Sequence, residues 1–215
     1  MITAINHKWL KDLSDEDYYK LPFMSASKLK DDGGFKSKAT KDAMLLGQIV
    51  HHLFMFDSDY PNADKIEPAI YERGRELANT LLADPRGKLI KELTAYYEVA
   101  GMADILNEQT GKGLTFKAKC DFLPVKELDC IFDLKTTSQD YLRAFEQYRY
   151  DIQMTIYCMI FRKSEAQLLF INKKTGKIDM KTFTSDEVEA TKPQVWELMS
   201  KFKLKQLIDE TSTSN

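Results

Sequence analysis

Cys130-Ile-Phe-Asp-Leu-Lys-Thr-Thr137 is the stretch from which the rest of this chain is read. It is apolar and β-branched, and the turn-prone segment Pro124–Asp129 precedes it, so it predicts a strand. Side chains alternate across a strand, so Asp133 and Lys135 leave the same face. An acid and a lysine on one face are often only an exposed ion pair. What changes the reading is the preceding segment. Leu114–Leu123 predicts a second strand, with Phe116, Ala118, Cys120 and Phe122 on one face and Lys117, Lys119 and Asp121 on the other. The turn between the two implies a hairpin-like antiparallel pair. Asp121 and Asp133, on adjacent strands, can then converge on one hard divalent cation, which prefers oxygen ligands. A lysine beside that cation can position or help deprotonate a water, or steady the charge on a phosphate. Phosphodiester hydrolysis is extremely slow without help, and a metal-bound nucleophile with a charge clamp is what it needs.

Downstream, residues 140–163 give the longest helical pattern. Gln153 and Tyr157 stand i,i+4 on it and point the same way. Alone they would be a half-buried polar stripe. Beside the acid–lysine strand they can orient the lysine, a water or a DNA phosphate. Ala166–Asn172 and Lys177–Phe183 predict strands joined by the turn Lys173-Lys-Thr-Gly176, and Ser185–Leu207 predicts a closing helix capped by Ser185.

Upstream, Thr94–Leu106 predicts a strand ending at the turn Glu108-Gln-Thr-Gly111. Helical spacing covers 41–56 and 68–83, with a short helix to about Leu93. Ser25 to Lys30 opens a short helix broken by Asp32-Gly-Gly34, and residues 1–24 read as an irregular or short-helical lead-in. The first long helix carries Leu46-Gly-Gln-Ile-Val-His51. His51 lies on the flank of its apolar stripe; the adjacent His52 points about 100° away. The element order predicts an α/β fold, a mixed central β-sheet flanked by helices. It forms a single domain over residues 25–208, followed by a flexible tail, 209–215.

The chain has 215 residues, 43% hydrophobic and 30% charged, enough for a core of its own. No apolar run reaches the roughly 20 residues that span a bilayer, and the N-terminus lacks a secretory pattern. Cys120, Cys130 and Cys158 have no CxxC spacing and read as reduced core thiols of a cytoplasmic protein. A net charge of −2 weighs mildly against a simple DNA-coating protein, though lysines cluster early (Lys28, Lys30, Lys36, Lys38, Lys41) and late (Lys201, Lys203, Lys205). No phosphate-binding glycine loop, GxSxG or Cys–His nucleophile pair is present, which argues against a metabolic enzyme.

Taken in order, Met24-Ser-Ala-Ser-Lys-Leu-Lys30, Leu46-Gly47…His51, Phe116-Lys-Ala-Lys-Cys-Asp121, Asp133-Leu-Lys-Thr-Thr137 and Tyr148-Arg-Tyr-Asp-Ile-Gln153 resemble the RecB-like branch of the PDDEXK nucleases, and most of all its exonuclease VIII group. Each piece alone is weak; the ordered set, over roughly residues 21–172, is specific. The resemblance implies a restriction-endonuclease-like core and a Mg²⁺- or Mn²⁺-dependent exonuclease acting on the ends of linear double-stranded DNA, 5′→3′, in phage-type recombination. It implies His51, Asp121, Asp133 and the Leu134 carbonyl as metal ligands and Lys135 as the catalytic lysine. Gln153 and Tyr157 would be the motif of the following helix. Glu98 loosely matches a further acidic position, with a plain surface residue an equal alternative. It also implies ring-shaped homo-oligomers and a single-strand annealing protein as partner. Other readings are an endonuclease or single-strand-specific nuclease of the same superfamily, and a non-catalytic DNA-binding protein on this scaffold.

Overall fold

A computed structural model of the chain describes residues 1–10, 13–32 and 40–212. A mixed seven-stranded sheet carries the fold. Its strands are β1 (Ile2–Leu10), β2 (Met24–Ser25), β3 (Thr94–Asn107), β4 (Lys112–Pro124), β5 (Cys130–Thr137), β6 (Glu165–Asn172) and β7 (Ile178–Phe183). They lie in the order β1-β3-β4-β5-β6-β7, with the short β2 parallel to β4. The β5–β6 pair is also parallel; the others are antiparallel. A parallel neighbour needs a crossover, and α6 (Tyr141–Gln147) and α7 (Tyr150–Phe161) supply it.

Helices cover both faces. On one, α7 packs with α2 (Ala26–Asp32) and α8 (Ser185–Ser212) over Ala103, Phe116, Ala118, Cys120 and Leu168. Every residue from Ile152 to Phe161 is buried, so α7 is a helix enclosed on all sides. On the other face, α3 (Lys41–Met55), α4 (Pro68–Ala83) and α5 (Pro85–Leu93) bury Val50, Phe54, Leu77, Leu81 and Ile90 against Phe122, Phe132, Leu134 and Leu169. Side-chain caps set the helix starts: Thr40 accepts from the Ala43 N–H, Asp84 from that of Arg86, and Asp140 from those of Leu142 and Arg143. Ser25 accepts from the Lys28 N–H, as its position suggests.

The mixed sheet flanked by helices is as the sequence predicts; four details differ. The short helix that the sequence allows in the lead-in is Asp15–Lys20, but the lead-in opens on a strand that the sequence does not predict, β1, antiparallel to β3. A register shift between Ile5 and Lys8, with Asn6 at φ 54°, moves its side chains from face to face and hides the strand period. Residues 140–163 are two helices, because Arg149 takes a left-handed conformation (φ 48°) and its guanidinium is tied to Asp151 and Gln194. The longest helix is therefore α8. Its cap is Thr184 rather than Ser185: the Thr184 hydroxyl accepts from the Glu187 N–H while the Glu187 carboxylate accepts from the Thr184 N–H. The helix also continues past Leu207 to Ser212, into the expected tail. The Gly33-Gly34 break, Lys36 and Lys38, and tail residues 213–215 lie outside the described residues.

Candidate active site

The site begins where the sheet forks. Pairing of β3 with β4 runs from Thr94↔Pro124 to Asn107↔Lys112, whereas β4 and β5 meet in register at Phe122↔Phe132 and then part. Asp121 faces the gap. Its Oδ2 accepts a 3.0 Å hydrogen bond from the Leu134 N–H, so a side chain satisfies a backbone donor that a ladder would otherwise use. Asp121 and Glu98 are absent from the β3–β4 register, and Glu98 holds φ 50°. A left-handed residue within a strand upsets the two-residue alternation. Tyr97 and Phe122 accordingly pack in the α3-side core, while Val99 and Cys120 pack in the α7-side core. This corrects the expectation that Phe122 shares a face with Phe116, Ala118 and Cys120. The same irregularity leaves the Asp121 carboxylate at the fork.

His51 arrives from α3 through a close approach. A Cβ on Gly47 would lie 2.9 Å from Thr136 Oγ1, so only glycine lets this turn of α3 rest on β5. One turn later, His51 Nδ1 lies 3.5 Å from Asp121 Oδ2. Burial, and then the Lys135 charge, hold the imidazole pKa down to about 4, so at neutral pH the ring is uncharged and able to ligate.

Asp133 and Lys135 project from β5 on the same face, as their spacing requires, with Nζ 2.5 Å from Oδ2. Asp133 is 1% exposed, yet neither of its oxygens accepts a well-formed hydrogen bond. Burial pushes its carboxyl up to about 6 against the pull of Lys135, and burial also raises Asp121. Lys135 is buried too; the Asp133 and Asp121 charges hold its pKa above the usual lysine range. Its ammonium sits 5.1 Å from the centre of the Tyr150 ring, within cation–π range. Gln153 Nε2 donates to the Tyr157 hydroxyl at 3.1 Å, and both side chains are buried on the face of α7 that meets the fork.

Of these groups His51, Asp121 and Tyr157 line a cleft of about 520 Å³, together with Glu98 and Lys119 and with α1 (Asp15–Lys20) along one wall; Asp133, Lys135 and Gln153 are not in its lining. Two of the lysines that share the Asp121 face are already engaged. Lys117 is 5% exposed and donates to the Tyr18 and Leu21 carbonyls at 2.7 and 2.8 Å, clamping the end of α1. Lys119 pairs with Asp15 and, at 3.2 Å, with Glu98.

The structure thus brings His51, Asp121, Asp133, Lys135, Gln153 and Tyr157 to one fork, with Leu134 contributing its N–H there and Glu98 at the rim. Among the described residues no three His, Cys, Asp or Glu side chains close around a common point as placed. The chemistry of the set nonetheless fits a hard cation. Apart from the Lys135 ammonium no donor among the described residues reaches the buried Asp133 oxygens, a second carboxylate is adjacent, and the neighbouring imidazole is neutral. The sequence reading missed Tyr150, Lys117 and the left-handed Glu98. Tyr150 was within reach, standing three residues before Gln153 on the same helix; the other two depend on packing.

No family model matches this sequence, and no curated protein matches it. Among solved structures, the alkaline exonuclease LHK-Exo from Laribacter hongkongensis aligns at 15% identity and TM-score 0.37, covering 92% of this chain and 97% of that one. A phage-related exonuclease from Haemophilus somnus 129PT aligns at 16% identity and TM-score 0.40, covering 90% and 99%. Candida albicans Rai1, in complex with pU5-Mn²⁺, aligns at 10% identity and TM-score 0.32, covering 83% and 44%. With TM-scores below 0.5, neither family nor activity passes from these structures to this chain. What fold and site define together is a mixed α/β protein with an acid–lysine cleft at a sheet fork.

Proposed function

We propose that this chain is a metal-dependent DNA nuclease of PDDEXK type, hydrolysing phosphodiester bonds of linear double-stranded DNA from its ends. The observation that carries this reading is Asp133: a buried carboxylate met by a single donor among the described residues, the Lys135 ammonium, beside Asp121 and a neutral His51, at a fork next to a cleft. One lysine meets only part of what a buried carboxylate can accept, and the remainder is costly unless something else binds it. His51, Asp121, Asp133 and the Leu134 carbonyl would hold Mg²⁺ or Mn²⁺, which supplies an activated water and offsets phosphate charge. Lys135, kept protonated by both carboxylates and steadied by the Tyr150 ring, stabilises the charge that develops on the phosphate. The Gln153–Tyr157 pair orients the lysine or a phosphate oxygen.

End-directed 5′→3′ degradation, a ring of identical subunits and a single-strand annealing partner are what the resemblance to the exonuclease VIII group implies. A ring suits the net charge of −2, since only an inner channel must then be basic. The test is incubation with linear and closed-circular duplex in Mg²⁺, with EDTA and Lys135→Ala controls. Loss of linear DNA alone, abolished by both controls, is the expected result. Nicking of the circle would replace the exonuclease with an endonuclease. Cleavage of single strands only would make it single-strand-specific, and no cleavage of any DNA would leave a binding protein.

A further inference from the structure

A second cleft adjoins the first. It also encloses about 520 Å³, and the two share Phe56, Glu98 and Lys119 in their walls. Its own wall carries Trp9 and Tyr96, 43% and 53% exposed, with ring centroids 6.3 Å apart in an edge-to-face pair. What sets them apart is that the two rings are exposed side by side on the wall of a cleft that joins the candidate site. They are also held in place from below: Trp9 pairs in register with Gly101, and Tyr96 with Leu123. Tyr96 is two residues from Glu98, roughly 7 Å along an extended chain. Glu98 lines both clefts, so the second opens directly onto the rim of the first. Lys119, at the junction, is the cation a backbone phosphate would meet there; Asp15 and Glu98 hold it in the absence of DNA.

We propose that this second cleft takes unpaired nucleobases of the strand being cut, stacked on Trp9 and Tyr96, while the neighbouring phosphate passes Lys119 into the fork. The inference takes its substrate from the nuclease reading above. Stacking on an aromatic face tolerates any base sequence, and the polar fork beside it fixes the backbone. A duplex would have to fray at its end to fill such a cleft, which fits attack on DNA ends rather than on closed circles.

The test needs no catalysis. The chain has two tryptophans, and Trp196 is partly buried against the α7-side core, so quenching from solution reports on Trp9. In EDTA, oligothymidylate is titrated into the full chain. Its matched control is an abasic oligomer of equal length. The expected result is saturable quenching by oligothymidylate, lost in Trp9→Phe, with affinity about tenfold weaker in Tyr96→Ala and for the abasic oligomer. Trp9→Phe keeps an aromatic ring, so it reads out the site without emptying the cleft. Equal binding of the abasic oligomer would overturn the proposal in favour of phosphate contacts alone. No quenching, with concentration-dependent self-association that Trp9→Ala abolishes, would overturn it and assign the patch to a contact between copies. No quenching in a protein that still degrades linear DNA would sink the stacking site and spare the nuclease. Quenching in a protein that cuts no DNA would keep the site and remove the nuclease.

Discussion

β4 is held differently on its two sides. Toward β3 it pairs rung by rung from Pro124 to Lys112, and backbone donors and acceptors are exchanged along nearly the whole strand. Toward β5 it meets Phe132 once, at Phe122, and side chains take over: Asp121 accepts from the Leu134 N–H, and His51, Asp133 and Lys135 fill the space that opens. A closed ladder has no free lone pairs to offer a ligand. A fork has them, at the cost of burying charge. The difference shows that the site is built at Asp121, on the stretch of that edge that pairs with neither β2 nor β5, where the sheet stops satisfying itself.

The largest expected effect removes the charge from the fork. Asp133→Asn should lower DNA cleavage roughly a thousandfold, about 4 kcal/mol of transition-state stabilisation. Without metal, the same change should leave stability equal or higher. Folded Asp133 keeps its proton up to about pH 6, whereas the unfolded carboxyl, at 3.8, has already lost it. Between about pH 4 and 6 the folded state binds more protons, so this group's contribution falls as pH rises. His51, held down to about 4 from 6.5, acts in the opposite sense over a similar window. The difference between variant and wild type reports Asp133 together with its coupling to His51 and Asp121. In EDTA, denaturant titrations should show the variant's advantage growing from pH 4 to 6 and staying level above. A variant that is less stable at pH 7 would mean the carboxylate is well satisfied in the fold.

Next is the contact that delivers His51. Gly47→Val would push Thr136 Oγ1 and lift α3 from β5, costing about 3 kcal/mol in urea unfolding and reducing cleavage. Adding Thr136→Ala should recover part of both losses. If the double variant recovers neither, the close approach is not what positions His51. On the other side of the cleft, Lys117→Met removes the ammonium that clamps α1. A loss of about 2 kcal/mol is expected, with faster amide exchange confined to residues 15–20. Exchange that rises uniformly instead would show that α1 does not depend on this clamp.

The smallest effect probes the rung at which β3 and β4 lose their alternation. Glu98→Gly relieves a left-handed side-chain residue and should stabilise the protein by about 1 kcal/mol. If Glu98 also serves the metal or Lys119, cleavage falls while stability rises. Unchanged cleavage would make Glu98 a purely structural kink.

Much of this was legible beforehand. Strand period placed Asp133 beside Lys135, helical period placed Gln153 beside Tyr157, and turn residues marked β3, β4, β6 and β7 closely. Three of the misses share one cause. Asn6, Glu98 and Arg149 all take left-handed conformations, and none is a glycine. At Asn6 the strand period of β1 is scrambled, at Glu98 the facing of Phe122 is reversed, and at Arg149 one helical pattern becomes two helices. A positive φ at a side-chain residue leaves no mark in composition, because tertiary contacts impose it: Arg149, for example, is fixed by Asp151 and Gln194.

By itself the sequence determined the mixed sheet, the helices over it and the identity of the charged groups, because periodicity and residue chemistry are local properties. Only the tertiary structure decided that β4 and β5 part after one rung, that Gly47 lets α3 touch β5, and that Lys117 is spent on α1. It also decided that Asp133 is buried with the Lys135 ammonium as its one donor among the described residues. Each of these depends on which distant segments share a volume and on which polar groups are left unpaired when they meet.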